Sequence, residues 1–223
     1  MFITFEGIEG SGKSTQAKEL HKKLHQVGIS SILTREPGGT EIGTSIRKIL
    51  LNSNNTGLSG LSELLLYEAD RAQHIEEKII PALNDGLWVI CDRYLDATIA
   101  YQGYARNQDM DLLRTLNKYA SHGLLPEITF LLDCSVEYGI NRARSRETNL
   151  TNNEEFGFDR FEKEKLLFHE KVRAGYLAIA DKNPDRFFII PAEGTIEKIK
   201  EKIWEFMLPF VTEKFASDNM VLI

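Results

Sequence analysis

The residues with the clearest chemical pattern lie near the start of the chain, in the stretch Gly7, Ile8, Glu9, Gly10, Ser11, Gly12, Lys13, Ser14 and Thr15. Glycine, four residues, glycine, lysine and then serine or threonine is a phosphate-binding loop pattern. Its glycines let successive backbone N–H groups turn toward phosphate oxygens, and the helix that follows favours negative charge at its N-terminus. In this pattern Lys13 reaches the β- and γ-phosphates and the Ser14 hydroxyl binds Mg²⁺.

The context of the loop is the one that the pattern requires. A short β-prone run at 2–5 precedes it, and residues 16–20 after it are helix formers. The alternative is a chance match on a helix and turn, which this context disfavours. The stretch therefore predicts a nucleoside triphosphate site.

A second candidate is Asp92, which ends the apolar run 87–91 and is followed by Arg93 and Tyr94. In proteins with a phosphate-binding loop, an aspartate at such a strand end commonly orients Mg²⁺ or its waters. The alternative is an aspartate that caps a helix beside a surface arginine.

Tyr67 and Arg71 are four residues apart in a helical pattern and so share a helix face. An aromatic plane and a forked donor that project together can stack on a base and bind its carbonyl edge. The alternative is an ordinary amphipathic helix with Arg71 paired to an acid, and spacing alone favours that alternative.

A fourth group consists of Arg142, Arg144 and Arg146, followed later by Asp159–Arg160–Phe161–Glu162. Several arginines near a phosphate loop are typical of a closing lid that neutralises a transferring phosphoryl group. A solvated basic helix end is the alternative.

The elements that must position these residues alternate between apolar strands and helical patterns. Strands are predicted at 2–5, 29–33, 87–91, 128–132 and 186–190, and a long helix at about 62–83. Unbroken apolar strands joined by helices predict an α/β fold with a five-stranded parallel sheet, helices on both of its faces, and chemistry at the C-terminal strand ends. We expect one domain over 1–223, with residues 148–158 as a mobile loop.

Composition narrows the function classes. The chain has 223 residues, 42% of them hydrophobic, and a net charge of −6, which argues against a protein that coats a nucleic acid polymer. No apolar run approaches the length of a membrane helix. Cys91 and Cys134 lie beside apolar strands and are expected to be buried free thiols. With no room for a signal peptide before the first strand, these features predict a cytoplasmic protein.

Taken together, the loop from 5 to 15, Arg35–Glu36–Pro37–Gly38–Gly39–Thr40, Asp92–Arg93–Tyr94 and Asp159–Arg160–Phe161–Glu162 resemble thymidylate kinase in order and spacing. The resemblance covers the chain from residue 3 to about 200. It implies a P-loop NTPase fold of the nucleoside monophosphate kinase type, a homodimer, and a Mg²⁺-dependent reaction. That reaction transfers the γ-phosphoryl group of ATP to dTMP and yields dTDP and ADP for dTTP synthesis.

The resemblance also implies roles for single residues. Glu9 lies near the sugar 3′-hydroxyl of dTMP and the magnesium waters, Tyr67 stacks on thymine, and Arg71 binds its O4 carbonyl. Tyr101 crowds the place of a ribose 2′-hydroxyl. The full set expected around dTMP is Glu9, Arg35, Pro37, Arg47, Tyr67, Arg71, Arg93, Thr98, Tyr101 and Gln102. The expected metal-site residues are Ser14 and Asp92.

The catalytic set implied by the resemblance is Lys13, Glu9, Arg93, Arg146 and Arg142. Some members of the family carry an arginine in the phosphate loop directly after the acid, where this chain has Gly10. A lid at about 142–160 is therefore expected to supply that charge, from Arg142, Arg146 or Arg160, with Arg146 favoured. The lid is longer than the usual pattern by the stretch around 149–158.

Two other functions compete with this interpretation. A kinase acting on UMP, CMP, AMP or GMP would share the phosphate loop, although Tyr67, Arg71 and Tyr101 argue against it. A regulatory GTPase would usually carry an Asn-Lys-X-Asp motif after a strand. Here the sequence Asn117–Lys118–Tyr119–Ala120 lacks the aspartate and lies in a helical pattern.

Overall fold

The computed structural model describes residues 1–149, 161 and 164–220, and for residues 146–149 and 217–220 it describes the backbone alone. Five short strands form its sheet. They are β1 (Phe2–Glu6), β2 (Ser31–Arg35), β3 (Trp88–Asp92), β4 (Ile128–Asp133) and β5 (Phe187–Pro191). Of these, β1, β3 and β4 are mostly buried.

All neighbouring strands run parallel, in the order β2-β3-β1-β4-β5. The predicted five-stranded parallel sheet is confirmed. Because the strands are parallel, their C-terminal ends meet at one edge of the sheet. That edge carries the start of the phosphate loop at Gly7, and beside it Asp92 and Asp133.

Side chains of β3 alternate between two hydrophobic clusters. On β3, Trp88 and Ile90 belong to the larger cluster, whereas Val89 and Cys91 belong to the second one. Successive side chains of a strand point to opposite faces, so both faces of the sheet are covered. Cys91 and Cys134 are free and buried, as expected.

Helical segments connect the strands. They are α1 (Lys13–Gln26), α2 (Glu41–Leu51), α3 (Gly60–His74), α4 (Ile80–Asn84), α5 (Leu95–Thr98), α6 (Met110–Ala120), α7 (Val136–Asn149), α8 (Leu166–Lys182) and α9 (Ile196–Met220). Two π-helical stretches, Ile75–Ile79 and Ile99–Ala105, join α3 to α4 and extend α5. Within the described ranges, no helix is both long and apolar enough to span a membrane.

The second strand begins two residues later than the sequence predicted. Gly28 adopts a left-handed φ of 86°, and the Ile29 N–H donates to the Leu24 carbonyl at 2.9 Å, which closes α1. Ile29 is therefore an apolar residue of the helix cap, and its burial does not reflect strand pairing.

The predicted long helix at 62–83 is helical throughout, but its π-helical stretch was not predicted. Residues 148 and 149 of the predicted mobile loop belong to α7 instead. The rest of that loop, 150–158, lies outside the described residues.

Candidate active site

The phosphate loop connects β1 to α1 at the carboxyl edge of the sheet. Lys13 folds back over the loop, where its Nζ donates to the Ile8 carbonyl at 2.7 Å and to Ser11 Oγ at 3.4 Å. Burial, and then the charge of Arg93, lower the pKa of Lys13 to about 8. A phosphate oxygen at this position would replace a neutral carbonyl with an anionic acceptor and favour the charged amine.

Ser14 and Asp92 meet between the loop and the end of β3. The Ser14 hydroxyl donates to Asp92 Oδ2, although 78 residues separate the two in sequence. Hydroxyl and carboxylate oxygens are the hard donors that Mg²⁺ prefers, so this pair fits the metal predicted for it.

Arg93 adopts a left-handed backbone with φ of 70° just after β3. Its Nη1 donates to the Gly7 carbonyl and to the Tyr176 hydroxyl, both at 3.0 Å. Its Nη2 donates to Glu9 Oε1 at 3.0 Å and to the Tyr101 hydroxyl at 2.8 Å. A non-glycine residue in this conformation is strained, and such strain concentrates at functional sites.

Glu9 is the acidic residue inside the phosphate loop. Its Oε1 also accepts from the Tyr101 hydroxyl at 2.5 Å, and its Oε2 lies 3.2 Å from His169 Nδ1. Burial alone would raise the pKa of Glu9, but the His169 hydrogen bond and the charges of Arg93 and Lys13 hold it well below its usual range. The carboxylate is thus ionised and joins the loop to Arg93 and Tyr101.

Arg71 is 1% exposed and forms the centre of a buried polar network. Its Nε donates to Glu36 at 2.9 Å and its Nη1 to Glu68 at 2.8 Å and Asn117 at 2.6 Å. Its Nη2 donates to Thr98 Oγ1 at 3.0 Å and, at 3.3 Å, to the Tyr94 carbonyl. A guanidinium has five N–H groups, and all five have acceptors here.

All ten residues expected around dTMP line one cleft. The same cleft is lined by Lys13, Ser14 and Thr15 of the phosphate loop and by Asp92. Gly7, Ile8 and Ser11 are buried behind it and do not line it. Residues that lie far apart in sequence therefore meet in one cleft, where the phosphate loop and the predicted acceptor residues are neighbours.

The turn after β2 contains a cis peptide between Glu36 and Pro37. Arg35 ends β2 with an exposed side chain, and Arg47 Nη1 on α2 donates to the Pro37 carbonyl at 2.9 Å. Thr40 caps the start of α2, because its Oγ1 accepts from the Gly43 N–H at 2.9 Å. Arg35 at the end of β2 and Arg47 on α2 thus both line the cleft, and the turn lies between them in sequence.

Of the predicted lid arginines, the side chain of Arg142 is described. A Cβ added to Gly12 would lie 3.8 Å from Arg142 Nη1, so this guanidinium reaches the phosphate loop from α7. Its carbon also lies 5.5 Å from the ring centroid of Tyr138. The Arg146 side chain and all of Asp159, Arg160 and Glu162 lie outside the described residues.

The thymidylate kinase family model matches residues 5–203. The chain belongs to the thymidylate kinase family. It is similar to the thymidylate kinase of Syntrophotalea carbinolica, with 49% identity over 91% of this chain and 93% of the relative. It is also similar to that of Geobacter sulfurreducens, with 46% identity over 93% of this chain and 96% of the relative.

The likeness to thymidylate kinases extends to the fold. A crystal structure of thymidylate kinase from Ehrlichia chaffeensis matches with a TM-score of 0.73 and 36% identity. The match covers 93% of this chain and 97% of that one.

Several residues of this thymidylate kinase site were not singled out from the sequence. Phe161 and Glu36 belong to motifs that carried the resemblance, but neither had a role. Phe161 lines the cleft, 5.6 Å from the Tyr101 ring and 6.4 Å from the Tyr67 ring. No sequence motif marked His169 or Tyr176, because each binds a residue of the site that lies more than 80 positions away in sequence.

Proposed function

We propose that this thymidylate kinase transfers the γ-phosphoryl group of ATP to dTMP with Mg²⁺ as cofactor, and that a lid arginine completes the site. The observation that carries the proposal is the single cleft shared by the phosphate loop and the ten predicted acceptor residues. Two nucleotides bound there from opposite sides would bring the donor and acceptor phosphates together.

On the donor side, the loop N–H groups would hold the triphosphate, and Lys13 would exchange the Ile8 carbonyl for a phosphate oxygen. Ser14 and Asp92 would hold Mg²⁺ or its waters. The bound ion supplies positive charge to the phosphates. The acceptor is a phosphate oxygen that is already ionised, so positioning and charge stabilisation dominate and no general base is needed.

On the acceptor side, Arg93 and Arg47 would bind the phosphate of dTMP, with Arg35 next to it. Tyr67 would stack on thymine. All five N–H groups of Arg71 already have acceptors. To bind the thymine O4 carbonyl, Arg71 would have to share an N–H group with one of them, such as Thr98, or exchange that acceptor for O4. Tyr101, held by Glu9 and Arg93, would face the sugar.

This chain has Gly10 where some family members carry a phosphate-loop arginine. We assign the role of that arginine to the lid and favour Arg146. The backbone of Gly10 has no room for a side chain, which supports a charge supplied from elsewhere. Arg142 reaches Gly12 from the same helix, and Arg146 lies one turn further along on the same face. Arg160 is the third candidate.

A homodimer is proposed from the family resemblance and from exposed apolar residues on three packed helices. Ile42 and Ile49 on α2, Leu61 and Leu65 on α3, and Leu112 on α6 are each more than 40% exposed. Because α3 packs against both α2 and α6, these residues can form one surface. Sedimentation of Leu65→Lys beside the wild type tests this, since an unchanged dimer would exclude that surface.

We further propose that 1–223 act as one kinase domain with its lid at about 142–160, in the cytoplasm. The deciding experiment for the reaction is ADP release measured with ATP, Mg²⁺ and one of dTMP, UMP, dCMP or no acceptor. We expect release with dTMP to exceed the others. Preferential use of UMP or dCMP would favour another monophosphate kinase, and equal release without acceptor would favour a hydrolase or switch.

A further inference from the structure

We infer that His169 is a positioning residue that holds the Glu9 carboxylate for the acceptor site. His169 lies on α8 with 0% exposure, and its Nδ1 lies 3.2 Å from Glu9 Oε2. The inference rests on the proposed function, in which Glu9 and its partners contact the acceptor nucleotide. His169 itself does not line the cleft, so it acts through Glu9.

The two oxygens of Glu9 have different partners. Oε1 accepts from Arg93 and Tyr101, both of which line the cleft. Within the described part of the chain, Oε2 accepts from His169 alone. Two donors on one oxygen hold that oxygen in place, whereas a third donor on the other oxygen also fixes the plane of the carboxylate. His169 thereby fixes the direction in which Glu9 presents Oε1 to Arg93 and Tyr101.

Of the two ring nitrogens of His169, Nδ1 has a hydrogen-bond partner among the described residues and Nε2 has none. For Nδ1 to donate to a carboxylate it must carry the proton, and Nε2 then finds no partner among the described residues. Leaving a buried ring nitrogen unpaired is costly, and an apolar residue would avoid that cost. The ring also packs edge-on against Phe168 at 5.5 Å, a contact that phenylalanine could make equally well. The Glu9 contact is therefore the feature that packing does not explain.

The surface of α8 supports this role. His169, Arg173 and Tyr176 are spaced four and three residues apart and share one helix face. Each binds a different acidic side chain at the carboxyl edge of the sheet: His169 binds Glu9, Arg173 binds Asp133 at 2.7 Å, and Tyr176 binds Glu6 at 2.7 Å. One face of α8 thus holds acids that follow or end β1 and β4, and His169 is its contact with the phosphate loop.

The test compares two replacements of His169. His169→Asn keeps an N–H donor near the position of Nδ1, whereas His169→Phe keeps the ring shape and removes the donor. We expect His169→Phe to lower kcat/KM for dTMP about tenfold, as for loss of a hydrogen bond to a charged group. The KM for ATP should change less than about twofold, and His169→Asn should restore most of the loss. Lys171→Ala, an exposed change on the same helix, is the control.

A double-mutant cycle separates positioning from packing. In a Glu9→Gln background, His169→Phe should cost much less than it does in the wild type, because the carboxylate that it positions is gone. Equal costs in both backgrounds, or equal activities of His169→Phe and His169→Asn, would overturn the inference. If His169→Phe does not fold, His169→Gln takes its place in the comparison with His169→Asn. The amide nitrogen of glutamine lies further from the backbone than Nδ1, so it is displaced from the position that binds Glu9.

The same variants distinguish failure of this inference from failure of the proposed function. If the wild type does not use dTMP, the proposed function falls. The cycle measured as free energy of unfolding still tests the Glu9–His169 contact in that case. Coupling in stability without any effect on dTMP kinetics would show a structural contact and overturn the positioning role.

Discussion

The backbone of Gly10 in the phosphate loop lies directly against the backbone of Gly139 on α7. A Cβ built on Gly10 would lie 1.8 Å from the Gly139 carbonyl oxygen, and one built on Gly139 would lie 2.5 Å from the Glu9 carbonyl oxygen. Neither position has room for a side chain. The loop and the helix that carries Arg142 therefore meet through two glycines, and an arginine at position 10 would push them apart.

A comparison of two glycine replacements tests this contact. Gly10 and Gly28 both have left-handed φ values, 70° and 86°, but a Cβ on Gly28 would meet no atom within 4 Å. Gly28→Ala should cost about 1 kcal/mol of unfolding free energy through backbone strain alone. Gly10→Ala should cost roughly 1–3 kcal/mol more through overpacking and should also lower kcat. Equal losses in denaturant unfolding would show that α7 does not constrain the loop.

Lys13→Ala should lower kcat for the reaction with dTMP by about 10² to 10³, because Lys13 would stabilise charge that develops on the transferring group. The KM for dTMP should change little, since the lysine is proposed to contact the phosphates of ATP. Lys18→Ala, an exposed change on the same helix, is the matched control. A raised KM for dTMP with unchanged kcat would place Lys13 in acceptor binding instead.

Two arginines of α7, Arg144 and Arg146, can be compared directly. Arg146→Ala should lower kcat by about 10² while leaving the KM for dTMP nearly unchanged, as expected for charge stabilisation by the lid. Arg144→Ala, whose side chain is exposed, should have little effect. Steady-state rates at saturating ATP measure this. Normal turnover of Arg146→Ala would move the assignment to Arg142 or Arg160.

Arg71→Ala should destabilise the protein as well as weaken dTMP binding. The change would leave the buried Glu36 and Glu68 carboxylates without their cation, which typically costs about 3–5 kcal/mol. Glu68→Gln added to Arg71→Ala should recover part of that loss. Arg114→Ala breaks an exposed pair with Asp111 and should cost less than about 1 kcal/mol.

The kinetic part of this prediction needs a variant that stays folded. Arg71→Lys keeps a charge but loses the forked donor geometry, so it should raise the KM for dTMP and leave the KM for ATP nearly unchanged. Equal rises for both nucleotides, measured on protein that urea unfolding shows to be stable, would refute reading of thymine by Arg71.

Glu6 should make stability depend on pH. Its buried carboxyl accepts from the Tyr94 N–H and the Tyr176 hydroxyl, both at 2.7 Å. Burial and the charge of Asp96 raise its pKa from 4.5 to about 8. Between these values the folded state holds a proton that the unfolded chain releases, so the free energy of unfolding falls as the pH rises.

Glu6→Gln should remove that dependence, which amounts to at most about 1.4 kcal/mol per pH unit. Urea unfolding of both proteins between about pH 5 and pH 8 measures this dependence. As the pH rises, the free energy of unfolding of the wild type should fall relative to that of the variant. Parallel curves for the two proteins would show that Glu6 has an ordinary pKa in the folded state.

Much of the fold could be predicted from the sequence because its signals are local. Apolar runs such as 128–132 identify strands, and the helical connections between them require parallel pairing. The phosphate loop and the Thr40 cap depend on residues within a few positions of each other. The start of β2 was missed because burial of Ile29 looks the same for a strand residue and for a helix cap.

The sequence by itself determined the phosphate loop, the five strands and the family. Only the tertiary structure decided what surrounds the reacting groups: that all five Arg71 donors are engaged, that Gly10 faces Gly139, and that His169 reaches Glu9 across 160 positions. The physical reason is the range of the interactions. Backbone propensity acts over a few residues, whereas a buried hydrogen bond depends on where the packing of whole helices and strands places both of its ends.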